Sequence, residues 1–169
     1  MPEPTEPWHV VNATEEPWHA APGWGRYVKF ERPGERFADY GVNIHVLEPG
    51  EVSTMYHGEA AQEGFLVLSG APTLLIEGEE RVLKAWDYVH CPAWTRHGFV
   101  NRGDTACAIL MTGARGPGGA DVDVVYAVEP LAQRHGAGVA EETSDSDAAY
   151  AGTPDSVEER YREGTLPGA

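Results

Sequence analysis

The stretch Pro49-Gly50-Glu51-Val52-Ser53-Thr54-Met55-Tyr56-His57-Gly58-Glu59-Ala60-Ala61-Gln62-Glu63-Gly64-Phe65-Leu66-Val67-Leu68-Ser69-Gly70 decides how this chain is read. His57 and then two acids, Glu59 and Glu63, lead into an apolar run that stops at Ser69-Gly70. Side chains alternate along a strand, so His57 and Glu59 point to one face. A turn over 60–62 folds Glu63 back beside that pair. A second stretch, Trp86-Asp87-Tyr88-Val89-His90-Cys91-Pro92-Ala93-Trp94-Thr95-Arg96-His97-Gly98-Phe99-Val100-Asn101, has a Pro92-Ala93-Trp94 turn that delivers His97 onto a strand.

Around these stretches the chain reads as many short strands, at 27–30, 41–47, 53–57, 64–68, 73–76, 81–85, 88–91, 98–100, 106–112 and 122–128. Turns such as Glu48-Pro49-Gly50, Ser69-Gly70-Ala71-Pro72 and Asn101-Arg102-Gly103-Asp104 separate them. Short strands with no helical period between them predict an all-β domain: an antiparallel sandwich, jelly roll or barrel. Residues 1–25 carry five prolines and no Lys or Arg, so they read as an extended arm, pinned by Trp8, Trp18 and Trp24. Residues 129–169 read as an acidic tail with short helices at 129–135, 145–151 and 155–163. The last of these has Asp155 or Ser156 as cap and Gly164 as stop. The expected organisation is therefore an arm (1–25), a barrel (26–128) and a tail leaning on the barrel (129–169).

Composition narrows the function classes. The chain has 169 residues, with 12 Lys and Arg against 27 Asp and Glu, a formal charge of −15. That argues against binding nucleic acid or an anionic membrane surface, since both use clustered Lys and Arg. The start Met-Pro-Glu-Pro-Thr-Glu-Pro is neither basic nor apolar, unlike a secretory signal, and no apolar run reaches the roughly 20 residues of a membrane span. Two cysteines, Cys91 and Cys107, make no disulfide framework. A cytoplasmic location is the expectation.

The two stretches resemble the motifs of the cupin family. The first motif has the form G-x5-H-x-H-x3,4-E-x6-G. Here six residues separate Glu63 from Gly70, six separate Gly50 from His57, and Glu59 occupies the second histidine position. The second motif, G-x5-P-x-G-x2-H-x3-N, keeps its spacing through Trp86, Pro92, Trp94, His97 and Asn101, with tryptophan at both glycine positions. The resemblance covers roughly residues 40–114. It implies a jelly roll, or double-stranded β-helix, of six-stranded sheets with one divalent transition metal ion held by His57, Glu59, Glu63 and His97. Two imidazoles and two carboxylates meeting in such an apolar interior need a cation or must be protonated, and a set of nitrogen and oxygen donors with no thiolate admits Mn, Fe, Zn or Ni. Glu59 either joins the metal or serves as a catalytic general base. Met55, Phe65, Phe99, Met111 and Cys91 are expected to wall a small pocket. Tryptophan resists positive φ, so the turns at Trp86 and Trp94 are expected to differ from the family's and to cap the barrel mouth. The implied function is a metalloenzyme of oxygenase, isomerase or lyase type acting on a small organic molecule. The other reading is a non-catalytic module that uses the metal to hold a small-molecule ligand. A homodimer is expected.

Overall fold

Alternating apolar residues and the turns between them produce twelve strands in the computed structural model, which describes residues 8–169. In chain order these are β1 (Trp18–Ala20), β2 (Arg26–Lys29), β3 (Tyr40–Leu47), β4 (His57–Glu59), β5 (Glu63–Ser69), β6 (Thr73–Ile76), β7 (Glu79–Val82), β8 (Tyr88–Cys91), β9 (His97–Val100), β10 (Cys107–Ala114), β11 (Val124–Tyr126) and β12 (Val157–Glu159). Two short helices, α1 (Pro130–Arg134) and α2 (Ser146–Ala149), lie between β11 and β12. The strands form a seven-stranded sheet, β12-β1-β2-β3-β10-β5-β8, and a five-stranded sheet, β11-β4-β9-β6-β7. The expected six-stranded sheets are corrected accordingly, because β1 and β12 extend one sheet beyond the barrel. Residues 1–7 of the expected arm lie outside the described residues.

The inner faces of the sheets meet in one apolar cluster. Leu47, Phe65, Ile109 and Met111 come from the larger sheet, Leu74 and Phe99 from the smaller. Outside the larger sheet, Trp18 of the arm is fully buried against Val28, Ile44, Val46 and Ala108, with Tyr161 and Leu166 of the tail packed beside it. Outside the smaller sheet, α1 contributes Leu131 and Ala132 to a cluster with Val52, Tyr56 and Leu75. Arm and tail thus cover hydrocarbon that the barrel alone would leave wet. Trp8 stays exposed.

Four local expectations are corrected. The expected strand at 53–57 is a loop that becomes strand only at His57. Two of its backbone donors go to the tail: Met55 N–H donates to the Tyr150 hydroxyl at 2.9 Å and Tyr56 N–H to the Ala137 carbonyl at 2.7 Å. The expected helix at 155–163 is replaced by β12, which pairs antiparallel with β1. A nine-residue helix gains little alone, whereas this edge offers a hydrogen-bonding partner and an ion pair from buried Arg26 to Glu159 at 3.5 Å. Trp86 and Trp94 adopt positive φ, 75° and 70°, so these turns keep the left-handed conformation that glycine favours. Nor do they cap the mouth: they are 72% and 50% exposed, and neither lines the cavity.

The motif's other residues act structurally. Gly70 (φ 75°) packs so closely that a β-carbon there would lie 2.6 Å from the Ala106 carbonyl oxygen. Buried Asn101 donates from Nδ2 to the Leu47 and Thr105 carbonyls, both at 2.8 Å, and its Oδ1 accepts from Gly103 N–H at 3.0 Å. It therefore ties the β9–β10 turn to the end of β3.

Candidate metal centre

A crossing between the sheets builds the site. β4 ends at Glu59 in the smaller sheet, residues 60–62 turn, and Glu63 opens β5 in the larger one. His57 and His97 are direct antiparallel partners on β4 and β9. The two histidines thus face Glu63 across the gap between the sheets. His57, Glu63 and His97 each offer a ligand atom, and these atoms lie within 4.8 Å of one another.

Both imidazoles are held in the tautomer that a metal needs. His57 Nδ1–H donates to the Met55 carbonyl at 2.7 Å, and His97 Nδ1–H to the Thr95 carbonyl at 3.0 Å. A carbonyl can only accept, so the proton sits on Nδ1 and Nε2 presents its lone pair. Rings brace the pair: Phe65 lies 5.0 Å from His97 and Tyr126 5.8 Å from His57, centroid to centroid. Burial pushes the pKa of His57 down. That of His97 falls to about 4, through burial and then the neighbouring His57. Both rings are therefore neutral at physiological pH.

His97 Nε2 stands 3.2 Å from Glu63 Oε2. With the ring proton on Nδ1, a lone pair confronts a carboxylate oxygen, and the contact is favourable only with a proton or a cation between them. Burial, then the nearby charge of Glu59, pushes the Glu63 pKa up to about 8. The donor set of two neutral imidazoles and one carboxylate fits a divalent transition metal that would displace that proton.

Glu59 stands outside the three-residue group but lines the same cavity, and burial raises its pKa. The two carboxylates converge on Gly113 of β10, where a β-carbon would sit 3.7 Å from both Glu59 Oε1 and Glu63 Cγ. The cavity measures about 540 Å³. Of the expected pocket walls, Phe65, Phe99 and Met111 line it. Met55 and Cys91 do not: Met55 faces Tyr126, Val139 and Ala149, and Cys91 is buried in the inner core, its thiol pushed up to about 12 mainly by burial. Neighbouring His90 is exposed, as is Gln62. Arg96 reaches Glu142 at the surface, at 3.7 Å.

Two cavity residues, Asn43 and His45 of β3, were not singled out from the sequence. The available signal was their phase: both fall two and four positions before inward-facing Leu47, where a core strand ordinarily carries hydrocarbon.

The cupin domain family model matches residues 43–113. No curated protein matches the chain. Among solved structures, a sugar phosphate isomerase of the cupin superfamily from Silicibacter pomeroyi is 28% identical with a TM-score of 0.52, over 60% of this chain and 63% of that one. A protein described as a putative sugar phosphate isomerase from Acidithiobacillus ferrooxidans is 28% identical with a TM-score of 0.50, over 62% of this chain and 65% of that one. The chain thus spans less than two thirds of either. A polyketide cyclase from Streptomyces resistomycificus shares the fold at 18% identity and a TM-score of 0.54, over 63% of this chain and 79% of that one. The facing antiparallel sheets, the paired histidines between them and the family match over 43–113 lead to one conclusion: the chain contains a cupin domain over residues 43–113 and folds as a cupin jelly roll.

Proposed function

We propose that this protein is a metal-dependent enzyme that moves a proton within a small hydroxylated carbonyl compound, an isomerase-type reaction. The observation that carries the reading is two neutral histidines and Glu63 within 4.8 Å of one another, with a second carboxylate on the same cavity that is not part of the group. His57, Glu63 and His97 would hold the metal, which when bound supplies a Lewis acid for a substrate oxygen. Glu59 is the general base. Burial raises its pKa above the ordinary carboxylate value, which makes it a stronger base toward a proton on carbon. Phe65, Phe99 and Met111 keep bulk water from the reacting carbon. The likeness to two structures described as sugar phosphate isomerases, each at 28% identity, supports isomerisation over oxygenation.

Metal analysis of protein purified without affinity metal tests the centre. Wild type should carry a stoichiometric divalent ion that His57→Ala and His97→Ala lose while keeping their fold; unchanged metal in the variants refutes the ligand assignment. Deuterium incorporation from D2O into ribose tests the chemistry. Exchange next to the carbonyl should need the metal and fall on the order of 100-fold in Glu59→Gln. Exchange that ignores Glu59 refutes its role.

A further inference from the structure

We propose that Asn43 and His45 form a second recognition wall in the cavity, one that hydrogen-bonds the hydroxyl groups of a polyhydroxylated substrate. This rests on the reading of the cavity as a substrate site. The residues lie on β3, in the sheet facing the two histidines. Their outward neighbours Ile44 and Val46 pack against Trp18, as a β-strand of this fold should. The inward positions instead carry an amide and an imidazole, and both line the cavity.

Each holds a buried polar atom, Asn43 Oδ1 and His45 Nδ1, with no hydrogen-bond partner among the described residues. Unpaired buried polar atoms are costly and uncommon in folded proteins. Neither side chain belongs to the three-residue metal group. The His45 ring is oriented by near-parallel stacking on Tyr27, with centroids 5.3 Å apart and planes at 16°. Burial lowers its pKa to about 4, so the ring is neutral and has one donor and one acceptor nitrogen.

Two hydroxyls extend the wall. Tyr150 accepts from Met55 N–H at 2.9 Å and Ser53 Oγ from Phe99 N–H at 3.3 Å, which leaves each O–H hydrogen to donate elsewhere. Both residues line the same cavity. A mixed set of donors and acceptors matches groups that both give and take a hydrogen bond, as sugar hydroxyls do. A carboxylate or phosphate would bring only acceptors to the Asn43 oxygen. The cavity's guanidiniums do not redress this, because Arg36 pairs with Asp121 and Arg115 with Glu31.

The test compares wild type, Asn43→Leu and His45→Phe. These near-isosteric changes remove the polar atoms and keep the volume and the stacking on Tyr27. Manganese is titrated alone first, then ribitol and ribose against the manganese-loaded proteins, with succinate as the acceptor-only control. Expected are equal manganese affinity in all three, ribitol and ribose bound about tenfold more weakly by each variant, and melting temperatures no lower than wild type. The inference is overturned if wild type binds neither polyol, if the variants bind them as wild type does, if succinate is the preferred ligand, or if the variants melt well below wild type. Failure of wild type to take up manganese refutes the metal reading instead, and dependence of ribitol binding on Asn43 and His45 would still uphold the wall.

Discussion

Chelating the metal and raising the pH from 6.5 to 8 should destabilise the wild-type protein, and Glu63→Gln should remove that loss. In the metal-free fold Glu63 has its pKa pushed up to about 8 by burial and by Glu59, against an ordinary value of 4.5 in the unfolded chain. Its contribution is complete below pH 4.5 and is lost as pH rises through about 8. His97, lowered to about 4 from 6.5, acts in the opposite sense: its contribution is complete above pH 6.5 and is lost on acidification towards 4. The two slopes cancel between about pH 4.5 and 6.5, and above 6.5 only the carboxylate slope remains. From pH 6.5 to 8 the window is 1.5 units; at 1.36 kcal/mol per unit this is about 2 kcal/mol. For a chain of this size it corresponds to about 4–8 °C in melting temperature. Scanning calorimetry of chelator-dialysed wild type and Glu63→Gln at pH 6.5, 7, 7.5 and 8 reads it directly. Manganese should restore wild type more strongly at pH 8 than at 6.5, since it displaces the proton, and should restore Glu63→Gln far less. Parallel pH profiles for the two metal-free proteins would refute the placement of Glu63 in a buried, acid-paired site.

Trp86→Gly should raise the melting temperature, because it relieves a positive φ of 75° on a side chain that is 72% exposed; a gain of roughly 1 kcal/mol is expected, and a clear fall in calorimetry would mean that indole contacts outweigh the strain. Trp18→Ala empties a fully buried site shared by arm, sheet and tail, and chemical denaturation should show a loss of about 3–5 kcal/mol. Cys91 and Cys107 are buried, with their thiols pushed up to about 12 chiefly by desolvation, so a thiol reagent at pH 8 should label neither until denaturant is added.

The reading of the site from sequence rested on spacing, and spacing carries far in a β-strand. Alternation placed His57 and Glu59 on one face and put β6 and β8 at 73–76 and 88–91, where the structure has them. Met55 and Cys91 were expected on the pocket wall as well. Met55 lies in a loop that has no strand period, and Cys91 points inward but into packed core away from the cavity. The tryptophans at 86 and 94 show the limit of residue preference, since a turn required by its two flanking strands imposed positive φ on side chains that resist it.

Local chemistry in the chain was enough to determine that short strands build antiparallel sheets and that His57 and Glu59 share one strand face, because alternation and turn residues act over a few positions. Only the tertiary structure decided that the end of the tail becomes a strand on the arm, that the loop before His57 is satisfied by the tail, and that Asn43 and His45 face the cavity with polar atoms unpaired. Those outcomes depend on hydrogen-bond partners and burial supplied by residues far away in sequence, and no local pattern encodes which distant edge will offer them.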